Sequence, residues 1–321
     1  LSSEINYLRL SITDRCNLRC FYCTPLAGWE KLPSREILRY EELLRLAGIA
    51  ARLGLRKVRV TGGEPLVRKD AVEFIRHLHR VPGLEEVCLT TNGVLLSELA
   101  SELYATGLRH LNLSLDSLKR QRYLSLTGSD HLNDVLAGLE AALSLGFRPL
   151  KINCVALKGL NDGELLEFAR LTRDHPFQVR FIEFMPTVGQ ERWQRHFLPI
   201  ATVRRRLAAL GPLKPVPQTA TAGPARIFRV PGFKGELGFI SSVSEHHCLT
   251  CNRLRLTAAG FLRPCLFAAP ELDLKTPLRQ GAPDAALSRL FQQALQLKAS
   301  HTQAAGAAAR FSGCPMVSIG G

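Results

Sequence analysis

Residues 7–23 read Tyr-Leu-Arg-Leu-Ser-Ile-Thr-Asp-Arg-Cys-Asn-Leu-Arg-Cys-Phe-Tyr-Cys. The first part has the period of a strand: Leu8, Leu10 and Ile12 share one face, Arg9 and Ser11 the other. The second part brings Cys16, Cys20 and Cys23 into a single loop. Three thiolates at this spacing can wrap a cubane iron–sulfur cluster while leaving one iron open to a substrate or cofactor. A fully ligated electron carrier would want a fourth cysteine nearby. Tetrahedral zinc, the competing metal, also prefers four ligands, and this loop has no His. Phe21 and Tyr22 are placed to shield whatever the loop holds.

Outward from this loop, residues 7 to 184 repeat a strand–helix unit. Strands are expected at Tyr7–Ile12, Lys57–Thr61, Val87–Thr90, His110–Leu115, Leu150–Val155 and Gln178–Phe184. Helices are expected at Glu41–Leu53, Ser97–Thr106, Asp134–Leu145 and Glu164–Arg173, the first three stopped by Gly54, Gly107 and Gly146. Alternation of this kind implies a parallel sheet, and six units make an open, partial (βα)6 barrel. After Pro186 the pattern changes. Residues 211–224 are rich in Pro, Ala and Thr and read as a linker. Short strands at Arg226–Val230, Glu236–Ser241 and Leu254–Thr257, then a turn at Ala258-Ala259-Gly260, predict a small antiparallel C-terminal β subdomain. The Ala-rich stretch 282–310 predicts a helical tail. The expected division is a barrel domain over 1–210 and a second unit over 225–321.

The chain has 321 residues, 46% of them hydrophobic, and carries 42 basic against 28 acidic residues, a net charge of +14. That size buries a substantial core, and the excess of positive charge fits either a solvated surface or an anionic partner. No apolar run approaches the roughly 18 residues of a membrane span. The chain begins Leu1-Ser2-Ser3-Glu4 without an initiator Met, as a trimmed or processed chain would, and shows no apolar signal core. Nine cysteines, six of them in two tight groups, argue for metal in a reducing, cytoplasmic compartment over a disulfide framework.

Basic residues recur where a parallel barrel buries both faces of its strands. Arg9 lies in the first, Lys57 and Arg59 in the second, Lys151 in the fifth and Arg180 in the sixth. Unpaired buried charge is costly, so the set predicts a lumen built for a polyanion such as a triphosphate, unless these residues sit at wet strand ends or pair with acids. The loops at the strand C-termini are Thr61-Gly62-Gly63-Glu64-Pro65, Thr90-Thr91-Asn92-Gly93, Ser114-Leu115-Asp116 and Glu183-Phe184-Met185-Pro186, which form the active face of a barrel. The glycines of the first of these are expected to let backbone approach a ligand closely.

A second group, Cys248-x2-Cys251-x13-Cys265, lies in the C-terminal part and encloses Arg253 and Arg255. It again has three thiols, and His246 or His247 could complete a zinc site instead.

The cysteine loop with its aromatic residue before the third Cys, and the Gly-Gly-Glu at 62–64, resemble the radical S-adenosylmethionine (SAM) superfamily. The second group with its Arg-x-Arg, the Arg-Phe-Ile-Glu-Phe-Met segment at 180–185 and the terminal Gly320-Gly321 sharpen this to a resemblance to the GTP 3′,8-cyclase family, over nearly the whole chain. The resemblance implies two [4Fe–4S] clusters, held by Cys16, Cys20 and Cys23 and by Cys248, Cys251 and Cys265. It implies SAM against Tyr22, Gly63, Ser114 and Met185. It implies GTP against Arg9, Arg59, Thr90, Lys151, Arg253 and Arg255, with Lys57 and Arg180 as added contacts. The implied reaction is removal of the C3′ hydrogen of GTP by a 5′-deoxyadenosyl radical and attack of C3′ on C8. Its product, 3′,8-cyclo-7,8-dihydro-GTP, opens molybdopterin synthesis. Gly320 and Gly321 would reach into the active site. The implied partners are a reductant such as flavodoxin, a downstream cyclic pyranopterin monophosphate synthase and a second copy of the chain, with no membrane or nucleic acid. Two rivals stand against this: another radical SAM enzyme with an auxiliary cluster, such as a peptide-modifying one, and a zinc-bearing nucleic-acid-binding protein.

Overall fold

The computed structural model describes residues 5–25, 30–217, 223–245, 251–266, 271–304 and 316. Its frame is a sheet of twelve strands: β1 (Tyr7–Ser11), β2 (Lys57–Thr61), β3 (Glu86–Thr91), β4 (His110–Ser114), β5 (Leu150–Ala156), β6 (Gln178–Glu183), β7 (Lys214–Pro215), β8 (Arg226–Arg229), β9 (Glu236–Ile240), β10 (Arg253–Leu256), β11 (Phe261–Arg263) and β12 (Leu272–Asp273). The first six stand side by side and parallel, in chain order, as their alternation with helices requires. Helices at Tyr40–Arg52, Leu96–Ala105, Leu132–Leu145 and Leu165–Asp174 fall within two residues of the expected bounds. Shorter helices at Ala71–Leu78, Arg120–Thr127, Gln190–His196 and Ile200–Leu207 escaped the sequence reading.

The C-terminal strands pair antiparallel among themselves, β10–β11–β12 and β7–β8–β9. They do not make a sheet of their own. β10 joins β1 in parallel on one edge, and β9 joins β6 in parallel on the other. The six-stranded parallel core would otherwise present two rows of unpaired backbone groups, and the C-terminal segment satisfies both. The parallel run therefore grows to eight strands, and the sheet stays open among the described residues. Lys214 and Pro215, inside the expected linker, form the outermost strand on one side.

The apolar faces of the strands pack under the helices. Leu8, Leu10, Val58, Val60, Leu89, Leu111, Leu113, Ile152, Val179 and Phe181 are fully buried with Leu43, Leu46, Phe74, Leu103 and Phe168 from the helices. The tail helix Asp284–Ala304 lies against the first helix, where Asp284 pairs with Arg45 at 2.8 Å and Arg52 at 2.6 Å. A second tie runs from Arg279 to Glu42 at 2.9 Å. These contacts bring a segment distant in sequence over the edge of the barrel beside β10 and β11. No described helix is long and apolar enough to cross a membrane.

Candidate active site

One cavity opens at the C-terminal ends of the strands and runs down into the lumen. Its upper wall is the first cysteine loop. Gly63 N–H donates to the Thr13 carbonyl at 2.7 Å and Glu64 N–H to that of Arg15 at 2.8 Å. A Cβ on Gly63 would come within 2.4 Å of the Arg15 carbonyl oxygen, so only glycine lets the end of β2 clasp the start of this loop. The backbone that approaches so closely is thus the cysteine loop itself, a role the sequence reading had reserved for a ligand. Glu64 accepts from Thr91 Oγ1 at 2.8 Å and Asn92 N–H at 2.6 Å, and Asn92 Nδ2 donates to Asn17 at 2.7 Å. Burial pushes the Glu64 carboxyl up to about 7.

From the opposite side, Tyr22 Oη donates to Asp116 at 2.6 Å, and Asp116 also accepts from Val155 N–H at 2.8 Å. Burial raises the Asp116 carboxyl to about 6. Phe21 points away, into a small apolar cluster with Phe184, where Arg192 lies 4.5 Å over its ring. The strand-end motifs are therefore ties that hold the loop in place as well as lining.

Below the loop, strand register sets a belt of cations. Arg9 stands level with Arg59 on one side and Arg255 on the other, across β10–β1–β2. Gly238 stands level with Arg180 across β6–β9, and a Cβ there would lie 2.9 Å from the Arg180 chain. Lys57, Arg59, Arg180 and Arg255 are all buried, and Lys151 joins them from β5. Burial, then Arg180, Arg59 and Lys57, lowers the Lys151 ammonium to about 7. Burial lowers Arg9 and Arg180 to about 10, and Arg255 further. Tyr7 offsets some of this charge by accepting from Arg59 Nε at 2.5 Å. Burial favours its neutral phenol, but Arg59, Arg9 and Lys57 outweigh that and lower its pKa. Basic groups buried close together with lowered pKa values are the electrostatic pattern of a polyanion site.

At the floor, Glu86 pairs with Lys57 at 2.6 Å and with His110, and Cys88 lies 3.0 Å from Glu86. Hydrogen bonds to Cys88 and Glu86 raise His110 to about 9. Glu86, Cys88 and His110 are close enough to share a metal ion. Lys57 already occupies the carboxylate, however, and the Arg59 cation faces Cys88 across β2–β3. These charges oppose a further cation, so the trio is better read as counter-charge for the belt.

The second cysteine group meets the same cavity. Cys251 and Cys265 line it, with Arg253 and Arg255 between them in sequence. Cys248, Gly320 and Gly321 lie outside the described residues, while Met316 lines the cavity. Every described residue among the sequence candidates lines it: Cys16, Cys20, Cys23, Tyr22, Gly63, Ser114, Met185, Arg9, Lys57, Arg59, Thr90, Lys151, Arg180, Cys251, Cys265, Arg253 and Arg255. The donor set suits iron–sulfur clusters. The thiols of Cys16, Cys20 and Cys23 sense one another, since burial first, then Cys23, Asp116 and Cys16, raises Cys20. An iron cluster bound as thiolates would supply the missing positive charge. Tyr7, Asn112, Asn153 and Lys298 also line the cavity and carry no site signal in the sequence. Among the described residues, Lys298 brings a further charge to the second cysteine group, and the composition of its Ala-rich helix carries no such signal.

A parallel α/β sheet with a three-cysteine loop after its first strand and Gly-Gly-Glu closing on that loop defines a radical SAM enzyme. The radical SAM superfamily model matches residues 10–172, and that of Molybdenum Cofactor Synthesis C matches 177–304. The GTP 3′,8-cyclase of Heliobacterium modesticaldum is 50% identical over 297 residues, covering 92% of this chain and 91% of the relative. That of Moorella thermoacetica is 48% identical over 295 residues, with the same coverage. Among solved structures, Streptococcus suis SuiB bound to its precursor peptide SuiA superposes with a TM-score of 0.59 at 15% identity. That match covers 84% of this chain but only 62% of SuiB, and it speaks to the fold alone. The chain belongs to the GTP 3′,8-cyclase family, radical SAM enzymes of molybdenum cofactor biosynthesis that carry a SAM-binding and a C-terminal auxiliary [4Fe–4S] cluster.

Proposed function

We propose that this chain converts GTP to 3′,8-cyclo-7,8-dihydro-GTP, with Cys16, Cys20 and Cys23 holding the first cluster and Cys248, Cys251 and Cys265 the second. The observation that carries this is a single cavity lined by both cysteine groups with a buried cation belt between them. When bound, the first cluster and SAM supply the 5′-deoxyadenosyl radical that takes the C3′ hydrogen of GTP. Tyr22, Gly63, Ser114 and Met185 seat SAM beneath the cysteine loop. Arg9, Lys57, Arg59, Lys151 and Arg180 grip the triphosphate, and Thr90, Arg253 and Arg255 orient the nucleoside. Fixing both ends of GTP presents C3′ to the radical source and turns encounter into alignment. The lumen walls exclude water that would quench a radical.

In this reading the barrel part, 1–210, generates the radical and the part from 225 onward presents the substrate. The terminal Gly320-Gly321 enters the active site. A flavodoxin-like reductant would supply two electrons, one to cleave SAM and one, with a proton, to quench the radical left on the guanine once the C3′–C8 bond has formed. Cyclic pyranopterin monophosphate synthase takes the product, and the enzyme works in the cytoplasm, as a homodimer.

The test is anaerobic reconstitution followed by iron and sulfide analysis and a GTP turnover assay with SAM. About eight irons per chain with cyclisation of GTP is the expected result. About four irons, zinc in place of iron, or SAM cleavage without any GTP product would overturn it. Deleting Gly320-Gly321 is expected to spare iron content and stop cyclisation.

A further inference from the structure

Lys298 sits on the tail helix, far in sequence from both cysteine groups, yet its side chain is buried in the cavity wall at 3% exposure. Its Nζ lies 2.9 Å from Cys251 Sγ, within hydrogen-bonding reach. The placement is built. Asp284, at the start of the same helix, is pinned to Arg45 and Arg52, and Leu287, Phe291 and Ala294 bury the helix against the core. Lys298 is thus delivered by a packed helix, and an ammonium is not sunk into a protein interior without a specific partner. The belt residues answer to a polyanion in the lumen, whereas Lys298 donates to a thiol of the second cysteine group.

We infer that Lys298 is a positioning residue for the second cluster: it donates a hydrogen bond to the Cys251 thiolate and raises the reduction potential of that cluster. The inference rests on Cys248, Cys251 and Cys265 being the cluster ligands. Hydrogen bonds and positive charge at cluster sulfurs stabilise the reduced, more negative state. The same bond would fix the direction in which the Cys251 thiolate points. The tail helix thereby couples the last part of the chain to the electronic state of the substrate-facing cluster without itself touching GTP.

The experiment is an EPR-monitored reductive titration of the reconstituted two-cluster enzyme, comparing wild type with Lys298→Met and Lys298→Arg. The first cluster is the internal control, identified by the change in its signal on adding SAM. The expected result is a more negative potential for the second cluster in Lys298→Met, a potential near wild type in Lys298→Arg, and an unchanged first cluster. If Lys298→Met sheds the second cluster, retention of about eight irons by Lys298→Arg alone carries the same conclusion, that a cation is needed at this thiolate. An unchanged second potential in Lys298→Met at full iron content overturns the inference. So does a loss of GTP affinity with no change in potential, which would make Lys298 a substrate contact. Wild-type enzyme holding only about four irons would instead strike the ligand assignment on which the inference rests.

Discussion

Around the first cysteine loop the nearest buried charges are acids, Glu64 beneath Asn92 and Asp116 beneath Tyr22. Around the second they are cations, Arg253 and Lys298. The thiols answer accordingly. Burial drives Cys16 up to about 11, helped by Glu64, whereas Arg253 and Lys298 overcome burial at Cys251 and bring it to about 6. Two groups of the same composition thus sit in opposite fields inside one cavity. The difference suits their ligands. In the proposed placement SAM, whose sulfonium and ammonium outweigh its one carboxylate, meets the end with acids. The nucleoside triphosphate of that proposal meets the end with cations. Long-range electrostatics in a low-dielectric cleft can sort two ligands before any close contact forms.

The sharpest way to break this contrast is to remove one cluster at a time. Cys16→Ala, Cys20→Ala or Cys23→Ala is expected to abolish SAM cleavage while leaving about four irons in the second site. Cys265→Ala is expected to leave the same amount of iron in the first site, with SAM binding intact and cyclisation lost. Iron analysis beside a 5′-deoxyadenosine assay separates the two. Retained SAM cleavage in a first-loop variant would mean that the two groups had been assigned the wrong way round.

A smaller effect belongs to the belt. Arg9→Ala or Arg255→Ala deletes one charged hydrogen-bond donor, worth about 1.5–3 kcal/mol, or roughly 10- to 100-fold in GTP affinity. SAM binding is expected to stay within twofold or so of wild type, since the change lies at the other end of the cavity. Equal loss of both ligands in calorimetry would show that the cavity does not sort them. The belt also has a pH signature. Lys151 is held at about 7 by burial and by its cationic neighbours. A bound polyanion favours the ammonium, so above pH 7 binding must take up a proton. GTP affinity therefore weakens as pH rises from about 7 towards 9, by up to about tenfold per unit for one proton. SAM affinity is not expected to weaken over this range, since the Glu64 carboxyl, held at about 7, only gains negative charge as pH rises, and Lys151→Met is expected to flatten the GTP profile.

Much of this cavity can be read from the chain because its signals are local. Arg9 between Leu8 and Leu10, and Arg59 between Val58 and Val60, put charge on a face that a parallel sheet buries. Three thiols in one loop announce a metal without any neighbour. What could not be read is what depends on pairing between distant segments. Arg253–Leu256 is legible as a strand, but nothing in it says that its neighbour is Tyr7–Ser11. Strand propensity does not encode a partner some 250 residues away, so the antiparallel C-terminal strands were legible but not their joining both edges of the core sheet. Gly63 reads as permissive backbone, yet what needs the space is the Arg15 carbonyl. Lys298 has no motif at all, and its meaning comes from the helix that carries it across the barrel edge.

The smallest expected effect tests whether the acidic end is a field or a set of struts. Tyr22→Phe removes a 2.6 Å hydrogen bond to Asp116 and little else, since the ring stays to line the cavity. If the bond serves mainly to hold the cysteine loop, its loss costs about 1 kcal/mol, and SAM affinity falls roughly fivefold with GTP affinity unmoved. Asp116→Asn keeps a polar group beside Tyr22 and Val155 N–H but removes the ionisable carboxyl. If charge is what draws SAM to this end, Asp116→Asn is expected to weaken SAM more than Tyr22→Phe does, and added salt to narrow the gap. Equal losses at every salt concentration would assign the acids a purely mechanical role, leaving the cations as the only part of the cavity that selects by charge.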